Sequence, residues 1–408
     1  MQSHDLSKYL NITESDYCAV AGPDWPTYNQ FLNHQHVPNF VYEEIDSMLT
    51  GPELLDNSAF CVLPFYNLEI PLNTPCCLIE PGADIDQIKV QMLSNQRPNA
   101  CYKCWQLEDN GIKSDRMIKN ETLDYYADKN LKNLFDQCVQ GNNAIINYKI
   151  DTSSVCNATC VTCNSDFSSS WAQLERKNNQ PTKKSWRISP EEIEPKIDFS
   201  NAKAITFRGG EPFLSDTNFY ILEQLLAHNN NQCLVSFTTN GSSVLNDYQK
   251  SLISKFKNVN FCISIDGIGS VFEYLRYPLL WSDIETTVDY CRANNIMISA
   301  SYTISNLNIL YHPQTVQWFH DNQIDFIHNP VYSPAYFQPQ ALPQSIKKAI
   351  VDRCNDSTVT TLLSQHITED DQKYQDFRVE IAKQDHWKNI QLRDYLPELA
   401  VLLDKYSG

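Results

Sequence analysis

Apolar residues gather into six short runs through the middle of the chain: Ile145–Asp151, Ala204–Arg208, Leu234–Thr238, Val259–Ile265, Ile296–Thr303 and Phe326–Tyr332. These read as buried strands. Helical patterns separate them, such as Phe219–Leu226 and Ile284–Arg292. Ser189-Pro190-Glu191-Glu192 has a serine cap, proline in the first turn and glutamate three residues on, which starts a short helix. Strands alternating with helices imply an α/β region with a parallel sheet and right-handed crossovers. Six units rather than eight predict a partial, open (β/α)6 barrel of the TIM type over residues 144–335.

The flanks follow other patterns. Residues 1–50 are polar and aromatic, with Trp25, Tyr28, Phe31 and Tyr42, and read as an irregular N-terminal arm with one helix near Tyr42–Leu49. Residues 51–143 predict a small α+β domain. A strand opens at Phe60–Phe65 and continues through Tyr66–Pro71, a turn follows at Leu72–Pro75, and a helix lies around Ile85–Leu93. Residues 336–408 read as a C-terminal helical extension. Pro343 opens a helix that brings Ile346, Ile350 and Cys354 onto one face, and Phe377–Ile381 and Asn389–Leu403 form further helices.

Composition narrows the possible functions. The 408 residues are 42% apolar and 20% charged, as in a globular protein. A net charge of −17 argues against nucleic acid as a partner, because phosphate binding needs clustered Lys and Arg. No apolar run reaches membrane-spanning length and no signal segment opens the chain, so a cytoplasmic protein without membrane contact is expected. In that compartment fourteen cysteines are not a disulfide framework, and several stand at metal-ligand spacings.

Cys156, Cys160 and Cys163 make a C-x₃-C-x₂-C loop directly after the first strand. Three thiolates on one loop hold three irons of a [4Fe–4S] cluster and leave the fourth open. In the N-terminal domain Cys61, Cys76, Cys101 and Cys104 supply four further thiolates, which suit zinc and an iron–sulfur cluster equally. Cys77 beside Cys76 points the other way on extended chain.

The remaining motifs also fall at strand ends, where parallel sheets bind ligands. The Gly209-Gly210-Glu211 turn allows close backbone approach to a ligand and adds a carboxylate for an ammonium group. Ser264 and Asp266 offer partners for ribose hydroxyls, Asn240 for a carboxylate or base edge, and Arg276 for a carboxylate. Thr303 and Asn306 end the fifth strand. Together these fit an amino-acid nucleoside beside an iron–sulfur cluster, as in S-adenosylmethionine (SAM). Cys233, Cys262 and Cys291 read as core thiols, although Cys262 alternates with Ser264 and shares its side. His328 stands near the sixth strand end.

The cysteine loop, the Gly-Gly-Glu-Pro turn and the Ser-x-Asp-Gly strand end, in this order, resemble the radical SAM superfamily. The N-terminal cysteine domain resembles its auxiliary-cluster twitch (SPASM-like) module, placed before the barrel as in the N-terminal-twitch subgroup. One departure is Pro71, where that module has glycine five residues before its second cysteine.

The resemblance implies a catalytic [4Fe–4S] cluster on Cys156, Cys160 and Cys163 with SAM on its open iron. It also implies an auxiliary [4Fe–4S] cluster on Cys61, Cys76, Cys101 and Cys104. SAM would be held by Gly209, Gly210, Glu211, Asn240, Ser264, Asp266, Arg276, Thr303 and Asn306. The domain order with Cys354 in a C-terminal helix is similar to peptide epimerases of the proteusin type. For those enzymes a 5′-deoxyadenosyl radical abstracts a Cα hydrogen from L-residues of a ribosomal precursor peptide, and a cysteine thiol, here Cys354, would return hydrogen to give D-residues. The expected partners are the leader and core of such a peptide and an electron donor such as flavodoxin or ferredoxin. The alternatives are radical SAM crosslinking through thioether or carbon–carbon bonds, and a non-catalytic zinc-binding interaction protein.

Overall fold

A computed structural model describes residues 55–109, 113–123, 129–242, 245–364 and 371–405. The arm expected over 1–50 lies outside these residues. The described residues divide into two compact bodies: residues 55–65 with those between 78 and 143, and residues 66–77 with those between 144 and 405.

The first body is helical where described: α1 (Ile85–Leu93), α2 (Tyr102–Asp109), α3 (Asp115–Thr122) and α4 (Leu131–Val139). The predicted strand at Phe60–Phe65 is instead irregular chain running into a helical turn at Leu63–Tyr66. The backbone groups that would pair in a strand are taken by side chains. Asn120 accepts from the Val62 N–H at 3.0 Å and donates to the Phe60 carbonyl at 2.8 Å. Arg116 donates to the same carbonyl at 2.7 Å and forms a buried ion pair with Glu108 at 2.6 Å. Pro64 lacks an N–H, a loss that the first turn of a helix tolerates.

The second body is built on one parallel sheet of seven strands, not six. They are β1 (Asn67–Ile70), β2 (Asn147–Asp151), β3 (Ala204–Arg208), β4 (Leu234–Thr239), β5 (Asn258–Ser264), β6 (Met297–Ile304) and β7 (Asp325–Pro330). Their order in the sheet is their order in the chain. The extra strand is β1, which pairs in parallel with β2. Sequential order with right-handed crossovers puts every connecting helix on one face, which is the topology of an open barrel wall. Those helices are α5 (Ser169–Lys177), α6 (Asp216–Ala227), α7 (Asp247–Ile253), α8 (Ser270–Leu275), α9 (Trp281–Ala293) and α10 (His312–Asp321). After the sheet come α11 (Gln344–Cys354), α12 (Ser357–Ser364), α13 (Asp371–Lys388) and α14 (Pro397–Lys405). The single helix expected over Asn389–Leu403 is interrupted at Leu396, directly before Pro397, whose ring disfavours helical backbone at the preceding residue.

Strand register separates two chemically different faces. Phe207, Phe237 and Phe261 stand in line across β3, β4 and β5 and are fully buried, with neighbouring ring centroids 5.0 and 5.7 Å apart. Tyr302 of β6 shares this face and stacks on His312 of α10. Burying each such side chain contributes about 1.5–3 kcal/mol. The opposite face is polar. Across it run Glu69, Lys149, Thr206, Ser236, Asn260 and Ser299, one from each of β1 to β6. Parallel sheets usually bury both faces in apolar residues. Here hydroxyl, amide and charged side chains replace them on one face.

Among the described residues, no helix is long and apolar enough to cross a membrane.

Candidate active site

The polar face is organised at its β1 edge by charge. Glu69 is buried between Lys149 at 3.2 Å and Arg208 at 3.0 Å, and Arg208 also pairs with Asp151 at 3.2 Å. Burial raises the Asp151 carboxyl pKa against the pull of Arg208. Farther along, Asn260 of β5 donates to Ser236 at 3.1 Å and to Ser299 at 3.2 Å.

The cysteine loop leaves the C-terminal end of β2 and is pinned on three sides. The Ser168–Ser170 run, which caps and opens α5, holds it from the front. Ser168 donates to the Ala158 carbonyl at 2.7 Å, Ser170 to the Cys156 carbonyl at 2.7 Å, and Ser169 accepts from the Cys156 N–H at 3.1 Å. The 275–277 segment holds the middle, where the Thr159 N–H donates to the Tyr277 carbonyl at 2.7 Å and the Val161 N–H to the Leu275 carbonyl at 2.8 Å. The end of α13 holds the third side, with Gln384 donating to the Val161 carbonyl at 3.0 Å.

The three thiols lie close enough to disfavour one another's ionisation. Burial first and negative charge at Cys160 second push Cys156 up to about 11 and Cys163 up to about 12. Cys160 is also raised by burial, opposed by Arg276 and Lys388. Arg276 Nη1 stands 3.9 Å from Cys160 Sγ. At pH 8 a thiol of pKa near 11 is about one-thousandth thiolate, and the thiolate is the reactive form. Iodoacetamide should therefore alkylate exposed Cys77 at least about tenfold faster than Cys156 or Cys163 in cluster-free protein. The gap should close as pH rises toward 11, by peptide mass spectrometry. Equal rates at pH 8 would show that the loop thiols ionise normally.

The two glycines of the Gly-Gly-Glu turn serve contacts inside the protein. A Cβ on Gly210 would lie 2.2 Å from the Val155 carbonyl oxygen, and one on Gly209 2.6 Å from that of Ser153. The turn instead bonds to the chain leading into the cysteine loop, Gly210 N–H to Ser153 at 2.9 Å and Glu211 N–H to Val155 at 2.7 Å. Glu211 is fully buried. Its carboxylate accepts from the Thr239 hydroxyl at 2.7 Å, the Asn240 N–H at 2.8 Å and the Phe213 N–H at 3.3 Å. Burial outweighs these donors and holds its pKa near 7. These bonds make Glu211 a post joining β3, β4 and the cysteine loop.

Other expected ligand contacts are similarly committed. Asp266 accepts from Arg276 Nε at 2.7 Å and from the Thr303 N–H at 2.9 Å. Asn240 donates to Asn157 of the cysteine loop at 2.7 Å. Asn306 donates to the Tyr336 carbonyl at 2.8 Å. Ser264 and Thr303, half-buried at adjacent strand ends, have side-chain hydroxyls without a hydrogen-bond partner among the described residues, as does the buried Asn306 Oδ1, so these three groups remain available to a ligand.

Cys354 ends α11 and donates to the Leu310 carbonyl at 3.3 Å. Its thiol borders a cavity of about 220 Å³ with Leu310, Pro313, Gln314, Arg353 and Glu398. Leu310 precedes α10 and Pro313 lies within it, so Cys354 is on the helix-covered side of the sheet. Cys262 instead lies on the polar face, in line with Thr238 and Ser299. Of the N-terminal cysteines, Cys61, Cys101 and Cys104 belong to the first body and Cys76 to the second.

Among the described residues no three His, Cys, Asp or Glu side chains converge on a single metal ion. A four-iron cluster spreads its ligands over a wider triangle. Three half-buried thiols on one loop, flanked by Arg276 and Lys388, fit such an anionic group. The sequence reading missed the Ser168–Ser170 run, Gln384 and Lys388. A serine run before a helix is a legible cap signal; the two α13 residues carry none.

No protein-family profile and no curated protein matches the chain. Solved structures show a partial likeness. One is anSMEcpe with bound AdoMet and Kp18Cys peptide, 19% identical with a TM-score of 0.36 over 47% of this chain and 55% of that one. Streptococcus suis SuiB bound to precursor peptide SuiA is 12% identical, with a TM-score of 0.39 over 69% of this chain and 64% of that one. TsrM, a radical S-adenosylmethionine methyltransferase from Kitasatospora setae, is 11% identical, with a TM-score of 0.34 over 50% and 39%. The chain thus spans little more than half the length of anSMEcpe.

Proposed function

We propose that this chain is a radical SAM enzyme that epimerises L-residues of a ribosomal precursor peptide. The observation that carries the radical reading is the loop of three half-buried thiols at the end of β2, beside Arg276 and Lys388 and next to a polar sheet face. Cys156, Cys160 and Cys163 would hold the cluster, and the Ser264 and Thr303 hydroxyls would meet the ribose of SAM. When bound there, such a cluster would supply the electron for reductive cleavage of SAM to methionine and a 5′-deoxyadenosyl radical. The spacing of Cys61, Cys76, Cys101 and Cys104 supports a second cluster.

In the proposed reaction the Cα–H bond of the substrate breaks, its hydrogen goes to 5′-deoxyadenosine, and a thiol S–H returns a hydrogen from the other side. The sulfur radical left behind takes one electron and one proton, the electron from a flavodoxin- or ferredoxin-type donor. Two electrons and one proton are consumed for each residue inverted and each SAM cleaved. The hydrogen return first assigned to Cys354 fits Cys262 better, because Cys262 lies on the polar face and Cys354 behind the sheet.

The test is anaerobic reconstitution with iron and sulfide, then turnover with SAM, reductant and a candidate precursor peptide in D₂O. The expected result is bound iron, 5′-deoxyadenosine, and D-residues each heavier by about one mass unit from the exchanged thiol. Zinc without iron would point to the zinc-binding alternative. A loss of about two mass units per event would indicate crosslinking. Cys262→Ala should still yield 5′-deoxyadenosine but no D-residues, whereas Cys354→Ala should retain epimerisation. The reverse pattern would return the donor role to Cys354.

A further inference from the structure

Lys388, the last residue of α13, is a buried lysine that forms no ion pair among the described residues. The Nζ donates to Gln384 Oε1 at 2.8 Å and lies 4.9 Å over the ring of Trp171. Nearby acids are committed elsewhere. Asp385 accepts from the Tyr274 hydroxyl at 2.8 Å and the Leu392 N–H at 2.8 Å, and Glu380 pairs with Lys383 and accepts from Gln384. Burying an unpaired ammonium is unfavourable unless an anion completes the site.

Gln384 and Trp171, which contact this ammonium, also contact the cysteine loop, and Tyr277 ties the Lys388 backbone to it. Trp171 donates its indole N–H to the Cys160 carbonyl at 2.9 Å. Gln384 donates to the Val161 carbonyl at 3.0 Å. The Tyr277 hydroxyl donates to the Lys388 carbonyl at 3.3 Å, while the Tyr277 carbonyl accepts from the Thr159 N–H. Burial lowers the Lys388 pKa to about 8, opposed by negative charge at Cys160, Asp385, Glu380 and Cys163. Arg276, the other cation beside Cys160, already has its carboxylate in Asp266.

We propose that Lys388 is a positioning residue that completes the charge balance of an iron–sulfur cluster on Cys156, Cys160 and Cys163 and raises that cluster's reduction potential. The inference rests on the radical SAM reading. A thiolate-held cluster gains one negative charge on reduction, and a fixed cation nearby favours that state. The C-terminal helix thus supplies an electrostatic component of a site whose ligands lie on a distant loop.

The experiment compares reconstituted wild type, Lys388→Met, Lys388→Gln and Lys388→Arg by iron and sulfide content and by a redox titration read with electron paramagnetic resonance. Thermal unfolding of each cluster-free protein is followed alongside. Lys388→Met and Lys388→Gln should lower the midpoint potential by about 59 mV or more, a tenfold fall in reduced over oxidised cluster at fixed potential. Lys388→Arg should keep the wild-type value. Cluster-free Lys388→Met should be at least as stable as wild type, because an unpaired buried charge is gone. An unchanged potential in fully loaded Lys388→Met, or lower stability of the cluster-free variant, would overturn the inference while leaving the radical reading intact. Failure of wild type itself to take up iron and sulfide would overturn both.

Discussion

Asp266→Ala is expected to destabilise the cluster-free protein by about 3–5 kcal/mol, the usual cost of removing one partner from a buried ion pair. Asp266 is buried and Arg276 largely so, 2.7 Å apart. The alanine variant leaves the guanidinium without its carboxylate and the Thr303 N–H without its acceptor. Asp266→Asn keeps an acceptor for Thr303 but not the charge, so it should lose less. Chemical denaturation of the cluster-free proteins measures both. The same change should weaken iron retention after desalting, since Arg276 is held within reach of Cys160 by this carboxylate. Wild-type stability in the alanine variant would mean that water replaces the carboxylate at no cost, and the site would then be more open than its burial indicates.

Gly210→Ala should reduce retained iron by at least about tenfold, the measurable result of displacing the cysteine loop. Inserting a methyl group among side chains costs about 1–3 kcal/mol, because side chains can yield. Here the obstacle is the Val155 carbonyl, 2.2 Å from the added carbon, and backbone cannot turn aside as a side-chain tip can. Val155 immediately precedes Cys156, so relief of the clash moves the first thiol. It also breaks the bond from the Glu211 N–H to Val155. Gly209→Ala should act in the same direction, with added strain from its φ of +108°. Iron and sulfide assays after anaerobic reconstitution check both. Full loading of Gly210→Ala would show that the loop forms independently of the turn.

Strand positions were largely legible, because buried strands carry their signal locally. The six expected runs overlap β2 to β7, and α1 and the capping box at Ser189 fall where the pattern put them. β1 is different. A strand was expected around it, but four residues have no periodicity that names a partner, and only packing shows that Asn67–Ile70 joins β2. The polar face was likewise obscured. Thr206, Ser236, Asn260 and Ser299 interrupt the apolar runs too lightly to alter a buried-strand reading, and their common side appears only once the strands are in register.

The sequence by itself determined the three cysteines on one loop and the row of motifs at successive strand ends, because loop spacing and strand–turn junctions are local properties. Tertiary structure decided what each motif touches. Gly209 and Gly210 admit the 153–155 backbone, Glu211 and Asp266 bond within the protein, and Cys262 rather than Cys354 shares the polar face. Above all it decided what surrounds the thiols. Gln384 reaches Val161 across 223 residues of sequence and brings Lys388 with it. Charge acts through space and not along the chain, so the cation that completes the site has no signature near the cysteines it serves.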